Sequence, residues 1–189
     1  MKKSFIFVCL ILLLGVSFLP AQGADNPALK IITNHYAARN FAGGEVTKAE
    51  LDLIIQAGVR APSARNAQPW HFTVVQNQTL AKQMISQVTD GNLLIVVSAA
   101  GDGKTNGVVI LDCGLAVQNM YLAAQIIGLG SRIYTAPIDV INRDFKTQLG
   151  LPRDHNAIAV IRIGRLPAGA DALSSASPRN AAGGMVTYK

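Results

Sequence analysis

The run from Val108 to Ile127 constrains the fold more than any other stretch. It carries Ala and Gly on a Leu/Ile/Val background, is apolar on almost every side, and is closed by Gly128 and Gly130. A helix without a polar face belongs in the middle of a domain, covered all round. The covering elements are legible on either side of it. Leu93 to Ala99 and Ala157 to Ile163 read as buried strands, Phe72 to Val75 and Ser131 to Tyr134 as shorter ones. Helices are expected over Asn26 to Ala38, after the capping box Thr47-Lys48-Ala49-Glu50, over Leu80 to Val88, and over Ile138 to Leu149. This order predicts an α+β fold in which helices flank an antiparallel or mixed central sheet. A chain of 189 residues, 50% hydrophobic and 15% charged, is large and apolar enough to fold as a single domain and is not a disordered segment.

The N-terminus sets the expected compartment. Met1-Lys2-Lys3 is followed by the apolar run Phe5 to Leu19 and then by small residues at Ala21 and Gly23. That order is the pattern of a signal peptide, expected here over residues 1–23 with cleavage after Gly23. As a helix the run rises only about 22 Å, short of a hydrocarbon core of roughly 30 Å, so a cleaved leader fits better than a membrane anchor. Lys2-Lys3 is not a twin-arginine signal, so export of an unfolded chain into a periplasm is expected, with no membrane span after cleavage. Residues 24–189 then form the domain, and Ala168 to Lys189 reads as an extended C-terminal arm.

Several function classes drop out. The formal charge is +6, but the basic residues are scattered and form no stripe for nucleic acid. No Gly-x-Gly-x-x-Gly follows the first strand, and Gly101-Asp102-Gly103-Lys104-Thr105 lacks the spacing of a nucleotide phosphate loop. Cys113 is the one cysteine after the leader and sits in an apolar stretch, where it reads as a small buried hydrophobe rather than a nucleophile.

The informative segment is Ala61-Pro-Ser-Ala-Arg-Asn-Ala-Gln-Pro-Trp-His-Phe72. Pro62 and Pro69 stiffen a stretch that presents Ser63, Arg65, Asn66 and Gln68 between a helix and a strand. Asn66 and Gln68 both donate and accept, as the edge of a planar heteroaromatic requires. A polar connection with Trp70 packed inward fits the same residues equally well. His71, at the start of a strand, reads as structural.

This segment resembles the signature of the nitroreductase family of FMN-dependent oxidoreductases. Weaker likenesses follow in the same order. His35-Tyr-Ala-Ala-Arg-Asn-Phe41 is similar to the family's Arg-x-Ser-x-Arg phosphate segment, Asp112 through Ser131 to its central interface helix and next strand, and Ser177-Pro178-Arg179 to its basic C-terminal segment. The resemblance implies an α/β sandwich in an intertwined homodimer with two interfacial FMN sites. His35, Ala37 and Arg39 would meet the ribityl phosphate, with Arg179 as a second positive charge. Pro62, Ser63, Ala64 and Asn66 of the other subunit would line the isoalloxazine, and the backbone of Thr135 and Ala136 would face flavin N5. No side chain needs to act as a nucleophile or general base, because the flavin carries the chemistry.

Two positions depart from the family pattern. His35 stands where the family has a permanent cation, and an imidazole is mostly neutral at neutral pH. Ala37 lacks the serine hydroxyl. The short connections after Val75 and before the long helix leave no sequence for a substrate lid, so an open flavin face is expected. The resulting expectation is an exported FMN enzyme reducing a nitroaromatic or quinone. NAD(P)H, the family's usual donor, is scarce outside the cytoplasm, so a quinol or redox protein is the alternative donor. The alternative function is a flavin-binding or structural dimer without turnover.

Overall fold

The computed structural model describes residues 26–34, 37–170 and 179–189. The expected leader lies outside them. Four strands form one sheet in the order β1-β2-β4-β3: β1 His71–Val75, β2 Leu93–Ala100, β3 Gly130–Tyr134 and β4 His155–Gly164. Every pairing is antiparallel, which decides between the antiparallel and mixed alternatives. The central pair, β2 and β4, is buried on both faces, and its side chains alternate between two cores. Ile95, Val97, Ile161 and Ile163 face one core, while Leu94, Val96 and Val160 face the other.

The first core is closed by α2 (Lys48–Val59) and α4 (Gly107–Ile126), through Ile54, Cys113, Val117, Met120 and Ala124. The second is closed by α3 (Gln78–Met84) and the segment Ile138–Phe145, through Ala81, Met84 and Ile141. Gly58 lets α2 approach α4, since a Cβ there would lie 2.7 Å from Met120. A buried polar chain fixes α4 against β3: Gln125 Nε2 donates to Ser131 Oγ at 3.0 Å, and Ser131 Oγ donates to the Tyr121 carbonyl at 2.8 Å.

Some expected elements are shorter than the sequence pattern. The first helix, α1, is Pro27–Asn34 and does not continue to Ala38. Ala38 is instead fully buried, and its amide donates to the Ser131 carbonyl at 3.0 Å, which draws the chain along β3. α3 starts under an Asn77 cap and ends before the extended Ile85. The helix expected from Ile138 to Leu149 is one α-turn, Ile138–Val140, running into a π-turn, Ile141–Phe145. There the Asn142 amide pairs with the Ala157 backbone at 2.7 and 3.2 Å, standing in for a strand neighbour.

The central helix departs from expectation on one face. α4 is long and apolar enough to cross a membrane, yet it packs along the sheet. Its other side is open, with Val108 55%, Leu111 62% and Ile126 56% exposed. Among the described residues only one side of this apolar helix is covered, and an exposed apolar stripe of this kind suits an interaction surface.

The capping box forms as the sequence predicts. The Thr47 and Glu50 side chains each bond the other residue's backbone amide, and Glu50 also accepts from Arg165 Nη1 and Nη2 at 2.7 and 2.8 Å. The Arg165 hydrogen bonds hold the Glu50 carboxyl below the usual carboxylate range. A carboxyl whose pKa falls on folding stabilises the fold above its unfolded pKa, and that stability is lost as pH drops through the folded value. Glu50→Gln keeps a capping side chain but removes the charge. It should cost about 1 kcal/mol at neutral pH. Urea unfolding at a series of pH values should show the deficit vanish under acid; a deficit independent of pH contradicts the assignment.

Candidate functional site

The segment between α2 and β1 is a strained loop. Pro62 stops α2 from continuing, and Ala64–Asn66 makes a single 3₁₀ turn. Arg65, Asn66 and Gln68 have φ of 54°, 55° and 46°. That region costs a residue other than glycine about 1–3 kcal/mol, less for Asn, so the surroundings must impose it. Three braces do so. The Gln68 amide donates to Ser63 Oγ at 3.0 Å, Gln68 Nε2 donates to Asn66 Oδ1 at 3.2 Å, and the Ala64 amide donates to Asp112 Oδ1 at 3.1 Å. Asp112 is buried on α4 at 3% exposure, so the loop is tied to the helix that packs along the sheet. The braces leave Pro62, Ala64 and Asn66 exposed. Between loop and helix lies a hollow of about 430 Å³, lined by Ala64, Arg65, Pro69, Asn106, Val108 and Asp112.

A second set of predicted residues collects along β3. Thr135 and Ala136 follow the strand and are exposed. They adjoin a groove of about 390 Å³ lined by Met84, Gln87, Tyr134, Ala136 and Pro137, among others. At the other end of β3, the Ala38–Ser131 hydrogen bond lays Ala37 to Arg39 beside the sheet. Arg39 lines a pocket of about 320 Å³ there, and Ala37 is exposed without a side-chain donor. His35 lies outside the described residues. Arg179, in the C-terminal arm, is near enough to α4 to draw down the Tyr121 pKa, which burial raises.

The predicted residues thus form two groups, the loop at the start of α4 and the edge along β3. Among the described residues, the loop hollow shares no lining residue with the β3 groove or pocket. Two charged residues outside the predicted set, Asp112 and Arg162, also lie at these hollows. Asp112 is the only charged residue within α4, and Arg162 the only one in the Ala157 to Ile163 stretch of β4. A lone charge inside an apolar element was the available signal for both.

The other chemistry-bearing residues read as expected. Cys113 is fully buried, and burial pushes its thiol up to about 11, which leaves it inert. His71 opens β1 and meets the His155 ring edge-on at 5.9 Å. Trp70 is half-buried, stacks on Phe72 at 6.4 Å and packs against the first core. In the Gly101 loop, Asp102 accepts from the Lys104 and Thr105 amides at 2.8 and 2.9 Å, so a carboxylate already occupies the place a phosphate would take.

Comparison with known proteins identifies the family and the fold. The Nitroreductase family profile matches residues 32–94 and 86–165. An Archaeoglobus fulgidus protein bearing the name NADH dehydrogenase/NAD(P)H nitroreductase is 30% identical over 145 residues, which are 72% of this chain and 83% of that protein. A nitroreductase with bound FMN from Bacteroides fragilis superposes with a TM-score of 0.72 at 22% identity, over 87% of this chain and 99% of the other. A nitroreductase with bound FMN from Desulfitobacterium hafniense gives 0.70 at 22% identity, over 86% and 97%. By profile, sequence and fold, the chain belongs to the nitroreductase family.

Proposed function

We propose that the protein is an exported FMN-dependent oxidoreductase that reduces a small acceptor, a nitroaromatic or a quinone, working as a homodimer with each flavin held between two copies. The observation that carries this reading is the strained loop Ala61 to Phe72, tied to α4 by Asp112. Backbone strain of this kind is kept where geometry serves binding. Bound FMN supplies hydride and electron transfer, and the protein supplies orientation and electrostatics. Pro62, Ser63, Ala64 and Asn66 line the ring from one copy, with Ser63 bracing the loop and Asn66 offering its amide. Thr135 and Ala136 of the other copy offer backbone groups, and Arg39 and Arg179 hold the phosphate. The open apolar side of α4 supports the dimer, since Val108, Leu111 and Ile126 form a stripe that a second copy can cover.

Export follows from the leader pattern over residues 1–23. NAD(P)H is the donor in the names of the relatives, and a quinol or redox protein replaces it in a periplasm. Ala37 supplies no phosphate donor, which favours weaker flavin retention and keeps a flavin-binding protein without turnover as the second reading.

Purified mature protein should carry FMN, or take it up with a shift of the visible flavin bands and co-elution of flavin with the dimer. Protein that stays colourless with added FMN contradicts the reading. Asp112→Ala should weaken FMN binding by about 1–2 kcal/mol through release of the Ala64 amide, and Asp112→Asn, which keeps an acceptor oxygen, should restore most of it. Flavin fluorescence titration alongside a melting curve separates this from general destabilisation.

A further inference from the structure

The guanidinium of Arg162 is almost fully buried, at 2% exposure, on the sheet face opposite α4. Its partners are neutral. Nε donates to Asn92 Oδ1 at 2.9 Å, Nη2 donates to Thr89 Oγ1 at 3.0 Å, and the plane lies 4.0 Å from the centre of the Phe41 ring. Asn92 is itself held in place, because Nδ2 donates to the Ala42 carbonyl at 3.1 Å and the amide packs against Gly164, where any Cβ would collide with it. The Tyr134 hydroxyl is buried beside the guanidinium and favours its charged form. Burial and the nearby Arg132 lower the Arg162 pKa, but a guanidinium in a protein remains charged.

No carboxylate among the described residues offsets this cation. A buried charge with only neutral acceptors is costly to keep, more so beside a second arginine. The site is also open to a ligand. Arg162 forms part of the wall of the 320 Å³ pocket, with Arg39, Asn40, Phe41, Gln87 and Thr89, and none of these is acidic. Thr89 accepts from Arg162 and keeps its own hydroxyl proton to donate. Gln87 also lines the groove beside Ala136, so the two hollows adjoin along β3. Arg162 is in register with Arg132, and the groove begins at Tyr134, about 7 Å farther along the strand. An elongated ligand with a planar end and an anionic end fits that layout, anion toward Arg162.

We propose that Arg162 is the fixed cation of a phosphate-monoester pocket with Arg39 at its mouth, and that this pocket receives the phosphate of the flavin in place of the charge and hydroxyl missing at His35 and Ala37. The flavin part rests on the function proposed above; the anion pocket stands on the arrangement of Arg162, Thr89 and Arg39.

The test compares FMN with riboflavin, which differ only in the phosphate, and adds inorganic phosphate as a flavin-free probe. The variants are Arg162→Met, which keeps the apolar stem, and Gln87→Glu, an exposed position that places a carboxylate at the rim. Wild-type protein should bind FMN at least about tenfold more tightly than riboflavin. Both variants should lose most of that preference, with FMN affinity falling more than riboflavin affinity, and phosphate should raise the wild-type melting temperature more than that of either variant. If both variants keep the FMN preference and the phosphate response, the proposal is overturned and Arg162 is a packing residue. If Arg162→Met does not fold, Gln87→Glu decides alone on the same two readouts. If wild-type protein binds no flavin but the phosphate response depends on Arg162, the pocket stands and the flavin function fails. If neither flavin nor phosphate has an effect, both fail.

Discussion

The hydrogen bond from the Ala64 amide to the buried Asp112 carboxylate ties a strained loop to the long central helix. On one side of that contact stand Arg65, Asn66 and Gln68 in left-handed conformations that a free loop would relax. On the other stands α4, locked to the sheet through Val117, Met120 and Ala124 and to β3 through Gln125 and Ser131. Because the loop is bonded to α4 and α4 is packed on the sheet, the side chains the loop exposes are positioned relative to the open apolar stripe. Preorganisation of this sort is what a cofactor site requires of a protein when the cofactor carries the reactive electrons.

Charge is distributed with the same economy. The Gly101 loop closes on its own Asp102, which removes its amides from ligand binding. The cations Arg39 and Arg162 sit instead at one pocket by β3, with no acid in its lining. Glu50 pairs with Arg165 at the far side of the capping box, where the pair supports the fold. Among the described residues, Arg165 has a carboxylate partner while Arg162 has neutral ones, and the second marks the surface suited to an anion.

Much of this was legible in the residues. The capping box, the buried strands and the long helix follow from local patterns that tertiary packing reinforces. The loop was legible because two prolines and a run of small polar residues have few other uses between a helix and a strand. Other features needed the fold. Ala38 lies in a sequence that continues a helix, but the Ser131 carbonyl recruits its amide, and no local rule anticipates a partner so distant in the chain. Asn142 opens a π-turn because the Ala157 backbone on β4 is there to receive it. The half-bare state of α4 could not be read from composition, since a helix apolar all round looks the same whether its second side is covered by its own chain or by another. Asp112 and Arg162 were visible as single charges in apolar elements, yet only the structure shows that one braces a loop and the other walls a pocket.

The central claim is that a functional site is completed across two copies, loop from one and β3 edge from the other. Mixing two site variants tests it directly. Arg39→Ala disables the edge half and Asn66→Leu the loop half, so each homodimer should retain little flavin. Unfolded together and refolded, the two chains form mixed dimers in which one of the two sites has both halves intact. The account predicts that FMN binding reappears in the mixed sample and co-elutes with dimer. Mixed dimers that form and still bind no more flavin than the separate variants would contradict it, and would place the whole site within a single chain.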